Sequence, residues 1–201
     1  MKRIGVLVSG RGSNLQALID AALRGELGGE VGVVVSNVEG ALALQRAREA
    51  GIPAVYHDHR GKKREDFDAE VVAILRAHRV DLVCLAGFMR LLSPVFVRAF
   101  PGRILNIHPA LLPAFPGLDA QRQAWEHGAK VSGATVHLVD EGLDSGPIVA
   151  QEAVPVLSSD TPETLAARIL EVEHRLYPRA ARLVLEGRCR VEGRRVIVEG
   201  E

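Results

Sequence analysis

Asn106 and His108 stand two residues apart in the run ILNIHP, and Pro109 follows at once. Alternate side chains of an extended strand share a face, so the amide and the imidazole point one way and Ile107 the other. An amide N–H and a protonated imidazole are both hydrogen-bond donors. Aimed at one oxygen, two such donors hold the oxyanion of an acyl transfer, at about 3 kcal/mol each in comparable sites. Pro109 stops regular pairing, which exposes the carboxyl end of the strand, where open α/β sheets bind ligands. The same spacing also suits a polar pair that caps a strand and bonds to the next loop. Asp144, in the glycine-flanked loop DEGLDSGP after the strand that carries His137, bears on the choice. Brought over the end of the Asn106 strand, its carboxylate would face His108 and stabilise an imidazolium there.

No nucleophile of the chain competes for this centre. A G-x-S-x-G elbow is absent, and Cys84 lies inside an apolar run. The attacking amine or water therefore comes from the substrate side. A metal held by His108, His137 and Asp144 is conceivable, but these residues are scattered without a short paired spacing, and no metal is expected. The stretch HDH at 57–59 reads as a solvated loop end.

A second set of residues suits an anion. In VSGRGSNLQAL, Gly10, Gly12, Ser13 and Asn14 lie between a strand and a helix, where free N–H groups and the positive end of the helix dipole converge. The pattern is neither a Walker A loop nor a complete G-x-G-x-x-G fingerprint. It is read equally as a tight turn with Ser13 or Asn14 as helix cap.

The frame that must position these groups is an α/β one. RIGVLVS, VGVVVSN, PAVYHD and DLVCLAGF read as buried strands, separated by helical patterns in SNLQALIDAALRG, ALALQRAREAG and REDFDAEVVAILRAH. After ILNIHP the rhythm changes. SGATVHLVD and IVAQEAVPV have no long helix between them and predict antiparallel strands. A long amphipathic helix follows from Pro162 to Gly187, with Pro178 as a candidate kink, and CRVEGRRVIVEG predicts a hairpin turning at Glu192 and Gly193. The fold class expected is α/β: a single-domain open twisted sheet, Rossmann-like and parallel in its N-terminal half, with added antiparallel strands, a long C-terminal helix and a small terminal hairpin.

The 201 residues suit one domain, and 25 basic against 25 acidic residues remove any bulk electrostatic case for nucleic acid or an anionic membrane. Two dissimilarly placed cysteines suggest no disulfide framework, and a reducing cytoplasm is expected. The first apolar run stops after about six residues, too short for a signal peptide or a membrane span.

Four stretches, VLVSGRGSNLQAL, LAGFMRLLSP, LNIHPALLPAFPG and GATVHLVDEGLDSGPIVAQ, closely resemble the phosphoribosylglycinamide formyltransferase family of folate-dependent enzymes. The likeness runs in order from residue 3 to about 180. It implies one formyltransferase domain over 1–201: a phosphate- and nucleotide-binding half at 1–100, a catalytic and folate-binding half at 101–187, and the hairpin at 188–201. It implies that 10-formyltetrahydrofolate, a co-substrate, gives its formyl group to the amine of glycinamide ribonucleotide, in purine biosynthesis. The family's catalytic residues fall on Asn106, His108 and Asp144, with His137 in support. Its ribonucleotide contacts fall on Gly12, Ser13, Asn14 and Glu173. Its folate contacts fall on Arg64, Met89, Arg90, Leu92, Val97, Asn106, Glu141 and Asp144. The resemblance departs at Asp119, where many relatives carry His, at Trp125 in place of leucine, and at Leu170, where some carry lysine.

Two rivals share the Asn, His and Asp set: a formyltetrahydrofolate hydrolase, with water as acceptor, and a transfer-RNA formyltransferase. Each usually carries a further domain that 201 residues do not accommodate. A binding protein that kept the scaffold is the rival from another class. The partners expected are the two small molecules, with no nucleic acid and no membrane, in a monomer or homodimer.

Overall fold

The apolar runs expected to be strands form the centre of one nine-stranded sheet in the computed structural model, which describes all 201 residues, Met1–Glu201. In chain order the elements are β1 (Arg3–Val8), α1 (Ser13–Leu23), β2 (Glu30–Ser36), α2 (Leu42–Glu49), β3 (Ala54–Tyr56), α3 (Arg64–Ala77), β4 (Leu82–Leu85), α4 (Pro94–Ala99), β5 (Ile104–His108), α5 (Ala120–His127), β6 (Val131–Leu138), β7 (Ile148–Pro155), α6 (Pro162–Leu185), β8 (Cys189–Glu192) and β9 (Arg195–Val198). Across the sheet the order is β3-β2-β1-β4-β5-β6-β7-β9-β8. Strands β3 to β5 are parallel, whereas β6 runs against both β5 and β7. This is the expected α/β architecture, parallel first and antiparallel after.

Helices cover both faces of the parallel part, so its strands need no polar side. One face packs on α1, α2 and α6 through residues such as Leu15, Leu44, Leu105 and Ile169. The other packs on α3 and α4 through Phe67, Leu75, Phe96 and Ile104. Leu105 and Ile107 belong to the first core, so β5's intervening residues, Asn106 and His108, turn to the second face. Fully burying a large apolar side chain contributes about 1.5–3 kcal/mol, and this pattern therefore sets the face of β5 firmly.

Local details depart from the sequence reading. PAVYHD and DLVCLAGF contract to β3 and β4, and residues 86–93 form a loop before α4, whose first residue is Pro94. The helices α4, of six residues, and α5, of eight, are too short for a helical period to show. Helix α6 begins in a capping box formed by Thr161 and Thr164 and continues through Pro178 without a break. Glu192 pairs with Arg195, so the terminal hairpin turns at Gly193 and Arg194, one residue later than expected. It also joins the main sheet, through Arg195 opposite Ile148 of β7.

Tyr177 ties α6 to the sheet. Its buried hydroxyl lies 2.7 Å from the carbonyl of Leu85, the last residue of β4, and 3.0 Å from that of Leu105, the second residue of the adjacent β5. Tyr177→Phe is expected to cost roughly 1–3 kcal/mol, because buried acceptors lose their donor while the ring stays. Urea unfolding measures this, and an unchanged midpoint would show that the tie carries no stability.

Candidate active site

Antiparallel pairing sets Asn106 opposite His137 and His108 opposite Thr135. It also puts the end of β6 beside the start of β5, since Leu138 pairs with Leu105. The loop carrying Asp144 therefore leaves from the amino end of β5, not from above its carboxyl end. To reach His108 it climbs back about 10 Å, three residues of strand rise, along the open sheet face. Gly146 makes that return possible: a Cβ there would lie 1.7 Å from the Leu138 carbonyl oxygen.

The loop delivers the carboxylate to the imidazole. Asp144 Oδ2 lies 3.5 Å from His108 Nδ1 and accepts a hydrogen bond from the Gly117 N–H at 2.9 Å. Asp144 Oδ1 is 3.9 Å from His137 Nε2. His108 Nε2 is 2.8 Å from the Phe115 carbonyl, which can only accept, so this nitrogen carries hydrogen and Nδ1 faces the carboxylate. Both Phe115 (φ 52°) and Asp144 (φ 48°) hold left-handed backbone, a conformation tolerated by Asp but uncommon for Phe.

His137 orients Asn106. Its Nδ1 donates to the Leu138 carbonyl at 3.0 Å, which leaves Nε2 to accept from Asn106 Nδ2 at 3.4 Å. Burial pushes the His137 imidazole below its ordinary range, against the Leu138 carbonyl and Asp144, in keeping with that neutral tautomer. One N–H of Asn106 is thus engaged and the other is free. Cys84 offers no nucleophile, because burial pushes its thiol up to about 12.

A separate cavity of about 270 Å³ lies between the ends of β1 and β4, lined by Ser9, Gly10, Gly12, Ser13, Asn14 and Gly87 among others. This is the switch point of the sheet, where β2 lies to one side of β1 and β4 to the other. Neither Ser13 nor Asn14 caps α1. Gly12 is the N-cap, at φ 75°. A Cβ on it would meet Ala43 at 2.6 Å, so α2 packs directly against the turn and only glycine fits. Asn14 instead donates from Nδ2 to Glu173 Oε1 at 3.1 Å, and its own Oδ1 is buried without a partner.

The expected folate residues are spread over α3, the β4–α4 loop, α4, β5 and the β6–β7 loop. Met89, two-thirds exposed, is held through its N–H by Ser9 Oγ at 2.9 Å. The Arg90 guanidinium lies 5.0 Å from the centre of the Phe67 ring, Leu92 packs on the second core, and Val97 is half-buried on α4. Arg64, on the first turn of α3, and Glu141, in the Asp144 loop, are exposed and free of side-chain hydrogen bonds and ion pairs. At the departures, Asp119 pairs with Arg122 at 3.3 Å, the Trp125 indole donates to the Asp160 carbonyl at 2.7 Å, and Leu170 lies exposed on α6. The Phe115 carbonyl and the Gly117 N–H were not expected. The prolines and glycine of PALLPAFPG signal a fixed turn, but backbone groups carry no residue signature.

An open α/β sheet thus carries an amide, an imidazole and a carboxylate on one face, beside a glycine-turn cavity, an arrangement suited to group transfer. The chain belongs to the formyl transferase family, whose pattern matches residues 2–181. It is 42% identical over 199 residues to the phosphoribosylglycinamide formyltransferase of Escherichia coli (strain K12), covering 98% of this chain and 94% of that protein. The crystal structure of glycinamide ribonucleotide transformylase 1 from Symbiobacterium toebii superposes with a TM-score of 0.97 at 57% identity, over 98% of this chain and 94% of that one. The trifunctional purine biosynthetic protein adenosine-3 of Drosophila melanogaster is 53% identical over 189 residues. That match covers 92% of this chain but only 14% of the longer protein.

Glu173 makes the site pH-sensitive. Burial pushes its carboxyl up from 4.5 to about 7, with the Asn14 amide pulling the other way. A raised carboxyl is held protonated by the fold, so its contribution is intact below pH 4.5 and lost as pH rises through about 7. The loss is on the order of 3 kcal/mol. Without ligand, Glu173→Gln is expected to match wild type near pH 4.5 and to exceed it in stability at pH 8. Urea unfolding at both pH values checks this, and equal stabilities at pH 8 would contradict it.

Proposed function

We propose that the chain transfers the formyl group of 10-formyltetrahydrofolate to the amine of glycinamide ribonucleotide, yielding formylglycinamide ribonucleotide and tetrahydrofolate in purine biosynthesis. The observation that carries this reading is the convergence of Asn106, His108 and Asp144 on one open stretch of sheet face. A glycine-turn cavity lies two strands away, about 10 Å across the sheet.

In this reading the ribonucleotide phosphate sits at the start of α1, on the N–H groups of Gly12, Ser13 and Asn14. Glu173 and the unpartnered Asn14 Oδ1 take hydrogen-bond donors of the same substrate. The folate lies along Met89, Arg90, Leu92 and Val97, with Arg64 and Glu141 at the rim and the pterin against Asn106 and the Asp144 loop. Its amine partner attacks the formyl carbon, forming the new C–N bond. The formyl oxygen gains negative charge, which the free Asn106 N–H and the positive charge of the adjacent His108 imidazolium stabilise in a site already shaped for it. Acceptors at both His108 nitrogens, the Phe115 carbonyl and Asp144, suit a ring carrying hydrogen on each. Collapse breaks the bond from carbon to N10, and the proton lost by the amine ends on N10. Asp144 supports the imidazolium and that proton movement.

The reading treats residues 1–201 as a single catalytic domain, 1–100 holding the nucleotide, 101–187 the folate and 188–201 the terminal hairpin. A reducing cytoplasm suits its two free cysteines. Absorbance on mixing the protein with 10-formyl folate, with and without the ribonucleotide, tests the assignment. Turnover only with the ribonucleotide is expected. Turnover without it would mean a hydrolase, and silence in both would leave a binding protein. Asp144→Asn is expected to lower kcat by roughly 10²-fold or more while ribonucleotide binding persists, and unchanged turnover would remove Asp144 from the mechanism.

A further inference from the structure

The loop between β6 and β7 is stiff within itself but has few ties to the rest of the molecule. Internally, Asp140 Oδ1 accepts from the Gly142 N–H at 2.9 Å and from Ser145 Oγ at 2.8 Å, closing a small turn. At its base, the Leu138 N–H donates to the Pro147 carbonyl at 2.9 Å. Beyond that base, two hydrogen bonds anchor residues 140–147 from outside. One is from the Gly117 N–H to Asp144, on the substrate side. The other comes from behind: Arg194, at the tip of the terminal hairpin, donates from Nη2 to the Ser145 carbonyl at 2.5 Å.

The hairpin is itself well fixed. Cys189 and Val196 pack on the main core, Arg195 pairs with Ile148 immediately after the loop, and Arg188 donates to the Glu199 carbonyl at 2.8 Å. Its turn at Gly193 and Arg194 therefore presents a guanidinium from a rigid support to the residue next to Asp144. A charged donor to a carbonyl is among the stronger hydrogen bonds of its kind. It meets a backbone acceptor, so it leaves the Asp144 carboxylate free to face His108.

We propose that the C-terminal hairpin is a brace for the Asp144 loop and that Arg194 is a positioning residue for the formyl transfer. The catalytic half of this inference rests on the proposed function; the mechanical half does not. The brace limits how far Asp144 can swing from His108, without touching substrate.

Hydrogen exchange of the 141–146 amides, read beside steady-state kinetics, tests it in Arg194→Met, Arg194→Lys and the control Arg190→Met, whose arginine pairs with Glu192 on the same hairpin. Arg194→Met is expected to speed loop exchange roughly threefold to tenfold, the span of one net hydrogen bond. It should lower kcat by a similar factor, leave the ribonucleotide KM unchanged and leave core exchange as in wild type. Arg194→Lys should restore part of both effects, and Arg190→Met should show neither. Loop exchange equal to wild type in Arg194→Met would overturn the brace. Faster exchange with unchanged kcat would overturn its part in the reaction. The exchange measurement needs no substrate, so a chain that failed to turn over the ribonucleotide would refute the proposed function and leave the brace to be judged separately.

Discussion

The reversal of strand direction after β5 governs where every group of the proposed catalytic centre lies. Had β6 run parallel to β5, its loop would have opened at the carboxyl end of the sheet with the other ligand loops. Running antiparallel, it opens at the opposite end, and Asp144 reaches His108 only because the loop folds back over a stretch of face that no helix covers. That return imposes the local demands seen along it. Gly146 passes against the Leu138 carbonyl where no side chain fits, Asp144 takes a left-handed backbone, and Asp140 ties the turn together. The same register sets His137 across from Asn106, so a buried, neutral imidazole fixes the amide of the proposed centre.

The two substrates proposed for this chain would meet from different sides of the sheet. The glycine-turn cavity and Glu173 belong to the side of α1 and α6, while Asn106, His108 and the segment from Arg90 to Val97 belong to the side of α3 and α4. Between them stand β4 and β5, and Tyr177 of α6 holds the carbonyls of Leu85 and Leu105. A helix on one face thus ties the two strands, and the other face of β5 carries the proposed donors. The arrangement asks the protein for placement and electrostatics alone. It presents no nucleophile, since Cys84 is buried and held as the thiol, and in the proposed reaction the bond-forming amine arrives with its own substrate.

The order of strands and helices, the face shared by Asn106 and His108 and the glycine turn between the first strand and the first helix were all legible in the sequence. Each follows from a period of two or 3.6 residues or from glycine, which short-range sterics impose wherever the segment ends up. The same stretches carried the resemblance to the formyltransferases. Tertiary structure decided the rest. It moved the helix cap from Ser13 or Asn14 to Gly12 and turned Asn14 inward to Glu173, because α2 packs against that turn. It routed Asp144 along the face rather than over the strand end, and it supplied the Phe115 carbonyl, the Gly117 N–H and Arg194 as partners. Those contacts join backbone groups and side chains remote in the chain, whose meeting depends on strand direction and order. Neither leaves a mark in the local spacing of residues.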